Sequence, residues 1–506
     1  MSTGWESRLS ILRSDTESKL LGPLQTHGWT ATIELVVEKG EYLIVSAERG
    51  GFRHRVAVMY SSATENAVYK ALATQVEHIF IHGQLYKLES FAYGINTPIS
   101  TADDFHSILI GWNNASSTGK FAPSRASAPI AAHPPKHRTL LSEEPIEAIW
   151  LRLRQLTSVS LARKLMATRA ASEGVALDDN VILTKAEGLA FSLRNAGDYF
   201  RMHNGQNVSQ RVLNLYYGSM SLAFAEMLAD PRGAAGLVDI EKITTQGHGL
   251  CTLDGEHEGL ERVVVSTVAT GFFASWMKFL GIATDSFPKQ KPKVYPDLTK
   301  QPKSSWLTVE ELFARIPEVS DIFLDIFTSK PAWITPTYDN DANPSFSLFG
   351  EKQERPSTTY AVLVDDSARL TTGDIAAFPG PISQIEEVAS ENAGRHFRVA
   401  VDVTGKDIWW DALSIHHSPF ERSALIVPAF GGVGEYRAIC IALLYALSIM
   451  VRYRPSVWRR VQEGDHDHLR VLVEAYLAVV ERVLPEQFLE RITAQRVFAK
   501  QPGAWG

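Results

Sequence analysis

The chain has two cysteines in 506 residues, Cys251 and Cys440. That is too few for a disulfide framework and suits a reducing compartment. Cys440 lies in an apolar run and reads as a core thiol. Neither sign of charge is in large excess: 50 Lys and Arg stand against 57 Asp and Glu, for a net −7. This gives no global signature of a nucleic-acid binder and leaves room only for a local basic patch. No apolar stretch reaches the roughly 20 residues that a bilayer span needs. The opening residues MSTGWESRLSILRSD lack the apolar core of a signal peptide. There is no internal repeat. With 45% hydrophobic and 21% charged residues the chain is ordinary for a globular protein, and its length allows two or three domains.

The stretch that organises the rest is Glu435–Trp458, EYRAICIALLYALSIMVRYRPSVW. It follows a turn bearing Gly431, Gly432 and Gly434 and is apolar from Ala438 to Val451. Pro455 has no N–H and disfavours helix in the residue before it, so the helix is predicted to end near Tyr453. The spacing implies a helix buried on all sides, with Arg452, Arg454, Arg459 and Arg460 at the end where the helix dipole favours positive charge.

The first 112 residues predict a small α+β domain: a helix over 5–28, strands at Thr30–Val37, Tyr42–Glu48 and Arg53–Tyr60 joined by Gly-bearing turns, and a helix at Thr64–Ile79. Residues 113–140 are predicted to be a flexible, mildly basic linker, because Asn113–Arg138 is rich in Ser, Ala and Pro and has no acidic residue. From 141 to 506 a large, mainly helical body is expected. Its predicted helices are Pro145–Ala170, Val181–His203, Val208–Ala229 and Asp465–Val483, and Thr308 with Glu311 forms a capping box. Gly218, Ser219, Ser221 and Ala223 are small enough to admit a neighbouring helix closely. A small sheet is expected within about 332–430, from strands at Thr358–Val364, His396–Val403 and Ala424–Pro428. The fold class is α+β.

Several strings from about 150 to 495 resemble the YaaC-like family of bacterial proteins. They are Tyr216-Tyr217-Gly218 through Ala223, Gly247-His248-Gly249-Leu250, Leu307 to Leu312 with Ile316-Pro317, and Leu447-Ser448 through Arg452-Tyr453-Arg454-Pro455-Ser456-Val457-Trp458. The last is the most specific. The resemblance implies a bacterial cytosolic protein and little about chemistry, and it leaves the first 115 residues outside. Their order of helix, three strands and helix resembles a restriction-endonuclease-like core. Such a core needs acids and a lysine on its second and third strands to hold Mg²⁺ and activate water. The third strand here, Arg55-Val56-Ala57-Val58-Met59-Tyr60, has neither, so Glu34, Glu41 and Glu48 would make half a site.

Candidate site residues fall into three groups. Arg452 and Arg454 offer planar forks for phosphate or carboxylate, with Tyr453 and Trp458 beside them to stack on a base. The bland alternative pairs these arginines with carboxylates such as Glu435 or Glu463, tying the last two helices together. His248 sits between glycines that permit close approach to a ligand, and it titrates near neutrality; the alternative is a structural turn. Arg460 and His466 fit an Arg-x(4–6)-His pattern that resembles HEPN ribonucleases, with His as general acid or base and Arg stabilising phosphorane charge. Gly464 between them places the two on different elements. Asp465-His466-Asp467-His468 reads as a helix start rather than a metal site, and His416-His417 near Asp411 as a solvated loop. No metal or cofactor is expected. The expected role is a cytoplasmic, non-catalytic binding or scaffold protein for nucleic acid or a nucleotide, by analogy part of a multi-protein defence system against phage. The rivals are a metal-independent ribonuclease and a protein-interaction subunit. No membrane partner is expected.

Overall fold

The computed structural model describes the chain except residues 1–3, 37–41, 61–65, 84–91, 93, 96, 118–136, 202–206, 254–258, 344–356, 391–392, 407–408, 421–422 and 503–506. The chain divides into two compact units, 1–132 and 133–506.

The N-terminal unit is built on a five-stranded sheet in sequence order: Thr30–Val36, Tyr42–Arg49, Phe52–Tyr60, His78–His82 and Ile99–Thr101. The first three form an antiparallel meander, and the last two continue parallel to the third. Gly50 and Gly51, at φ 57° and 84°, make the two-residue turn between the second and third strands. Side chains alternate between two cores. Leu43, Val45, Val56, Val58 and Phe80 pack on one face with Leu12, Leu24 and Phe105. Ile44, Ala57, Met59, Ile79 and Ile81 pack on the other with Tyr69 and Leu72.

Three expectations are corrected here. The predicted helix Thr64–Ile79 is a helix only over Asn66–Ala73, and Ile79 belongs to a strand. Ile79, Phe80 and Ile81 are buried on both faces, which a central strand between two helical layers requires. The helix expected over 5–28 runs Gly4–Thr16, passes through a π turn at Glu17–Leu21 and continues over Gly22–Thr26. The predicted linker is ordered at both ends. Asn113 lies in a helix, Phe105–Ser117, where its Oδ1 accepts hydrogen bonds from Trp29 and Arg49 at 2.8 and 2.9 Å. At the other end His137–Leu141 is a strand. The middle, 118–136, and the turn Glu38–Glu41 lie outside the described residues.

In the C-terminal unit, Val208–Ala229 packs against three helices: Asp179–Arg201, Tyr436–Tyr453 and Asp467–Thr493. At Gly218 the first of these comes close, since a Cβ there would lie 2.7 Å from Phe200. The predicted helix Pro145–Ala170 is two, Pro145–Gln155 and Val159–Ser172. The Thr157 hydroxyl takes the Arg154 carbonyl at 2.8 Å and competes with continued helix. The final helix passes its predicted end at Val483 and continues through Pro485 to Thr493, with Val483, Leu484, Phe488 and Leu489 buried around the lost hydrogen bond.

The predicted inserted sheet is six antiparallel strands in the order Ile382–Val388, Arg395–Asp402, Thr358–Asp365, Trp333–Tyr338, Ser423–Ile426, Ile415–His417. A three-stranded sheet pairs Leu250–Leu253, Val264–Thr267 and Trp306–Thr308. A parallel ribbon joins His137–Leu141 to Arg496–Lys500. The Thr308 capping box is formed, with Thr308 N to Glu311 at 2.7 Å and the reverse bond at 3.1 Å.

The central helix Tyr436–Tyr453 ends where predicted. Its length and hydropathy of 1.4 would suffice to cross a membrane, which differs from the expectation, but 78% of it is buried inside the body. Its first turn carries Arg437, 1% exposed. That guanidinium donates to Glu226 at 2.8 Å and to Glu435 at 2.8 Å and lies 4.6 Å from the Phe488 ring. Glu226, 3% exposed, also accepts from Trp276 and Arg491, each at 3.1 Å. Four helices therefore meet on one buried ion network.

Removing one member leaves uncompensated charge in the core. Arg437→Ala is expected to cost about 3–5 kcal/mol in urea denaturation, and a loss under about 1 kcal/mol would disprove the network's role. Burial pushes the Glu435 carboxyl up, but Arg437 and Arg491 outweigh it and hold the group at about 2. A carboxylate lowered on folding stabilises above its unfolded value and loses that contribution as pH falls. Acid unfolding followed by circular dichroism should steepen between about pH 4.3 and 2, and Glu435→Gln should flatten that limb.

Candidate ligand-binding site

His248 is set by the glycines around it. Gly247 and Gly249 take φ of 92° and 75°. A Cβ on Gly249 would lie 2.8 Å from the Phe273 amide. This close turn lets the Gly247 and His248 carbonyls accept from Phe272 and Phe273, each at 2.9 Å, capping the helix Phe272–Phe279. The His248 side chain is half-buried, with Nδ1 2.7 Å from the Tyr216 hydroxyl. Its ring packs 5.6 Å from Tyr216 and 5.5 Å from Tyr445.

Arg452 reaches the same place from the end of the central helix. Its Nε donates to the Ser448 carbonyl at 3.1 Å and its Nη1 to the Tyr217 hydroxyl at 3.1 Å. It lies 5.9 Å from the Tyr217 ring and 5.0 Å from Tyr453. Among the described residues it pairs with no carboxylate, so for Arg452 the expected alternative of a carboxylate partner such as Glu435 or Glu463 is not what the fold builds. Glu435 is taken by Arg437.

The electrostatics are one-sided. Burial first, then the charges of Arg452 and Lys291, lower His248 below the usual histidine range, so it is neutral at pH 7. Burial raises the hydroxyls of Tyr216 and Tyr445 well above the tyrosine range, leaving them protonated. Burial also pushes the Cys251 thiol up to about 11 despite Lys291, so it is inert as a nucleophile. Among the described residues, the charged groups acting on this histidine are both cations. Half-buried Arg452, exposed Lys291, the half-buried imidazole and the Tyr217 hydroxyl have the chemistry to accept an anion and hydrogen-bond its oxygens.

The remaining predicted residues lie elsewhere in roles of their own. Trp458 is 5% exposed and its Nε1 donates to Ser209 at 2.8 Å, so it is a packing residue and not a stacking platform. Tyr453 is 65% exposed beside Arg452. Arg454 closes the central helix, and its carbonyl accepts from the Trp458 amide at 3.0 Å. Arg460 and His466 do meet across the Gly464 break, with Arg460 Nη2 2.6 Å from His466 Nε2. Arg460 is also clamped in two bonds by Asp465, at 2.8 and 2.6 Å. His466 Nδ1 lies 3.9 Å from Glu261. Asp467 falls in the first turn of the last helix, as a helix start would have it.

The solvated-loop reading of His416 is overturned. This residue is buried, with Nε2 2.7 Å from Glu318 and its ring stacked 3.8 Å from Tyr436. In the N-terminal unit Glu34 is held by Arg55 at 2.9 and 3.0 Å. Among the described residues no group of three His, Cys, Asp or Glu could hold a metal.

Tyr216, Tyr217, Tyr445 and Lys291 were not singled out as site residues. The tyrosines sit inside helical apolar patterns and read as core; only the fold brings 216–217, 248, 291 and 445–452 together.

These features define a mainly helical body around one buried helix, with a cationic, tyrosine-lined cluster at that helix's C-terminal end. The family model described as YaaC-like Protein matches residues 154–492, two-thirds of the chain. The chain belongs to the YaaC-like family. No curated protein and no solved structure matched it.

If Arg452 repels protonation of His248, Arg452→Gln should move the His248 titration upward toward the ordinary value. An NMR titration of the imidazole protons checks this; an unchanged midpoint would show that the two side chains are electrostatically independent.

Proposed function

We propose that this is a cytosolic, non-catalytic binding protein whose helical body holds a phosphate-bearing ligand, a nucleotide or a nucleic acid, at Arg452, His248, Lys291 and Tyr217. One observation carries the reading. Arg452 is half-buried and has no carboxylate partner among the described residues, while the other charge acting on His248 is a second cation. An uncompensated guanidinium with a planar fork suits a phosphate, and the adjoining tyrosine hydroxyls supply further donors. The lysine-rich segment around Lys289, Lys291 and Lys293 would extend the cationic surface along a polymer. The two buried, unpaired thiols suit a reducing cytosol. In the N-terminal unit, Arg55 stands on the third strand, where a nuclease would carry its acid and lysine, and it is paired with Glu34 of the first strand, which favours an accessory binding role there. Membership of a multi-protein defence assembly remains an analogy.

The contact between Arg460 and His466 supports a second reading, a metal-independent ribonuclease. One experiment separates them: binding and cleavage of labelled RNA, single-stranded DNA, duplex DNA and ATP across a salt series. The binding reading expects salt-sensitive association without cleavage, weakened about 10- to 100-fold by Arg452→Gln and unaffected by His466→Ala. Because protonated His248 would favour an anion, affinity should rise as pH falls from 7.5 to 5.5, and His248→Gln should remove that trend. RNA cleavage abolished by His466→Ala would replace this reading with the enzyme. Neither binding nor cleavage would eliminate both and leave a protein-interaction subunit.

A further inference from the structure

A second site lies beneath the parallel ribbon, formed by the strands His137–Leu141 and Arg496–Lys500, the helices Pro145–Gln155 and Val159–Ser172, and the end of the last helix. The cavity measures about 270 Å³. Its floor is apolar: Leu140, Leu489 and Val497 are 5%, 2% and 4% exposed, and Leu156 and Leu165 add half-buried methyl groups. Its charged lining carries one sign. Arg138, Arg152, Lys164 and Arg169 contribute to the wall, and among the described residues no acidic side chain does.

These cations differ in commitment. Arg169 is 7% exposed and saturated: it binds Glu173 at 2.9 Å and the Arg491 and Ile492 carbonyls at 3.2 and 3.0 Å. Arg152 makes one neutral bond, to Gln155 at 3.1 Å. Arg138 and Lys164 have no side-chain partner among the described residues. Burial, followed by the Arg138 charge, lowers the Arg152 guanidinium below the ordinary arginine value. Three like charges held over an apolar cavity without a counter-ion repel one another. A folded chain tolerates that arrangement best when an anion sits among them. The apolar floor asks for something other than a bare ion, because contact with methyl groups rewards a hydrocarbon. The volume equals about nine water molecules, which suits a chain of eight or so heavy atoms behind the head.

We infer that this cavity binds a small amphipathic anion, a carboxylate or phosphate head on a short alkyl or acyl chain, with the head at Arg138, Arg152 and Lys164 and the chain on Leu140, Leu156 and Val497. The site shares no residue with the cluster around His248.

Sodium octanoate is the probe, titrated calorimetrically into the full chain below its micelle concentration, with acetate, octanol and octyltrimethylammonium as controls. Octanoate is expected to bind, with at least tenfold weaker affinity in Arg138→Gln/Arg152→Gln and a smaller loss in the exposed Lys164→Gln. Acetate, octanol and the cationic amphiphile should bind far more weakly. Arg452→Gln should leave octanoate binding unchanged, which separates this site from the phosphate-binding reading. Absence of octanoate binding, equal binding of acetate or of the cationic amphiphile, or octanoate affinity unchanged in both folded charge variants would each overturn the assignment.

Discussion

The C-terminal body depends on a charge it cannot leave unpaired. Arg437 enters the core in the first turn of the most buried helix, and its partners come from Glu226 on one neighbouring helix and Glu435 just before its own. Glu226 in turn draws in Trp276 and Arg491. Apolar packing around Ala438–Leu447 is non-directional and would allow the helices to slide by small amounts. The ion network has direction, and a helix that slipped by one turn would strand a guanidinium in hydrocarbon. Because it fixes the start of the central helix, it also fixes where that helix ends. Arg452 emerges there, beside Tyr217 and within electrostatic reach of His248.

Much of this was legible in the sequence for a simple reason. The central helix is apolar over a long run, a glycine-rich turn precedes it and a proline follows it, so its existence and end were both readable. Gly218 could be read as a point of close helix approach because little else can stand where Phe200 would touch a Cβ. The failures share another reason. Ile79-Phe80-Ile81 is a short apolar run whose period does not separate helix from strand, and only burial on two faces decides it. Pro485 would normally end a helix, but the tertiary packing around it overrides local preference.

The candidate site was half legible. His248 and Arg452 stood out because one is framed by glycines and the other ends an apolar helix. Trp458 looked equally available beside Arg452, yet its ring faces inward and its N–H is satisfied by Ser209. Arg460 and His466 were readable as a pair, whereas the Asp465 clamp on the arginine was visible only in three dimensions. The tyrosines and Lys291 could not be found by spacing, because residues near 216, 291 and 445 have no local relation. A useful signal would have been that Arg452 pairs with no carboxylate among the described residues, and that is a property of space rather than of sequence.

The ribbon pairing His137–Leu141 with Arg496–Lys500 has a consequence for how the body is made. Its two strands come from opposite ends of the body's sequence, and Gln501 adds a bond from its side-chain amide to the Glu143 carbonyl at 3.0 Å. During synthesis the first strand leaves the ribosome long before its partner exists. Most helices can pair with neighbours already made, but the ribbon must wait until the last strand has emerged. Until then the edge of the first strand and the leucines beneath it stay uncovered, so the nascent body carries a waiting hydrophobic seam that a chaperone is suited to shield.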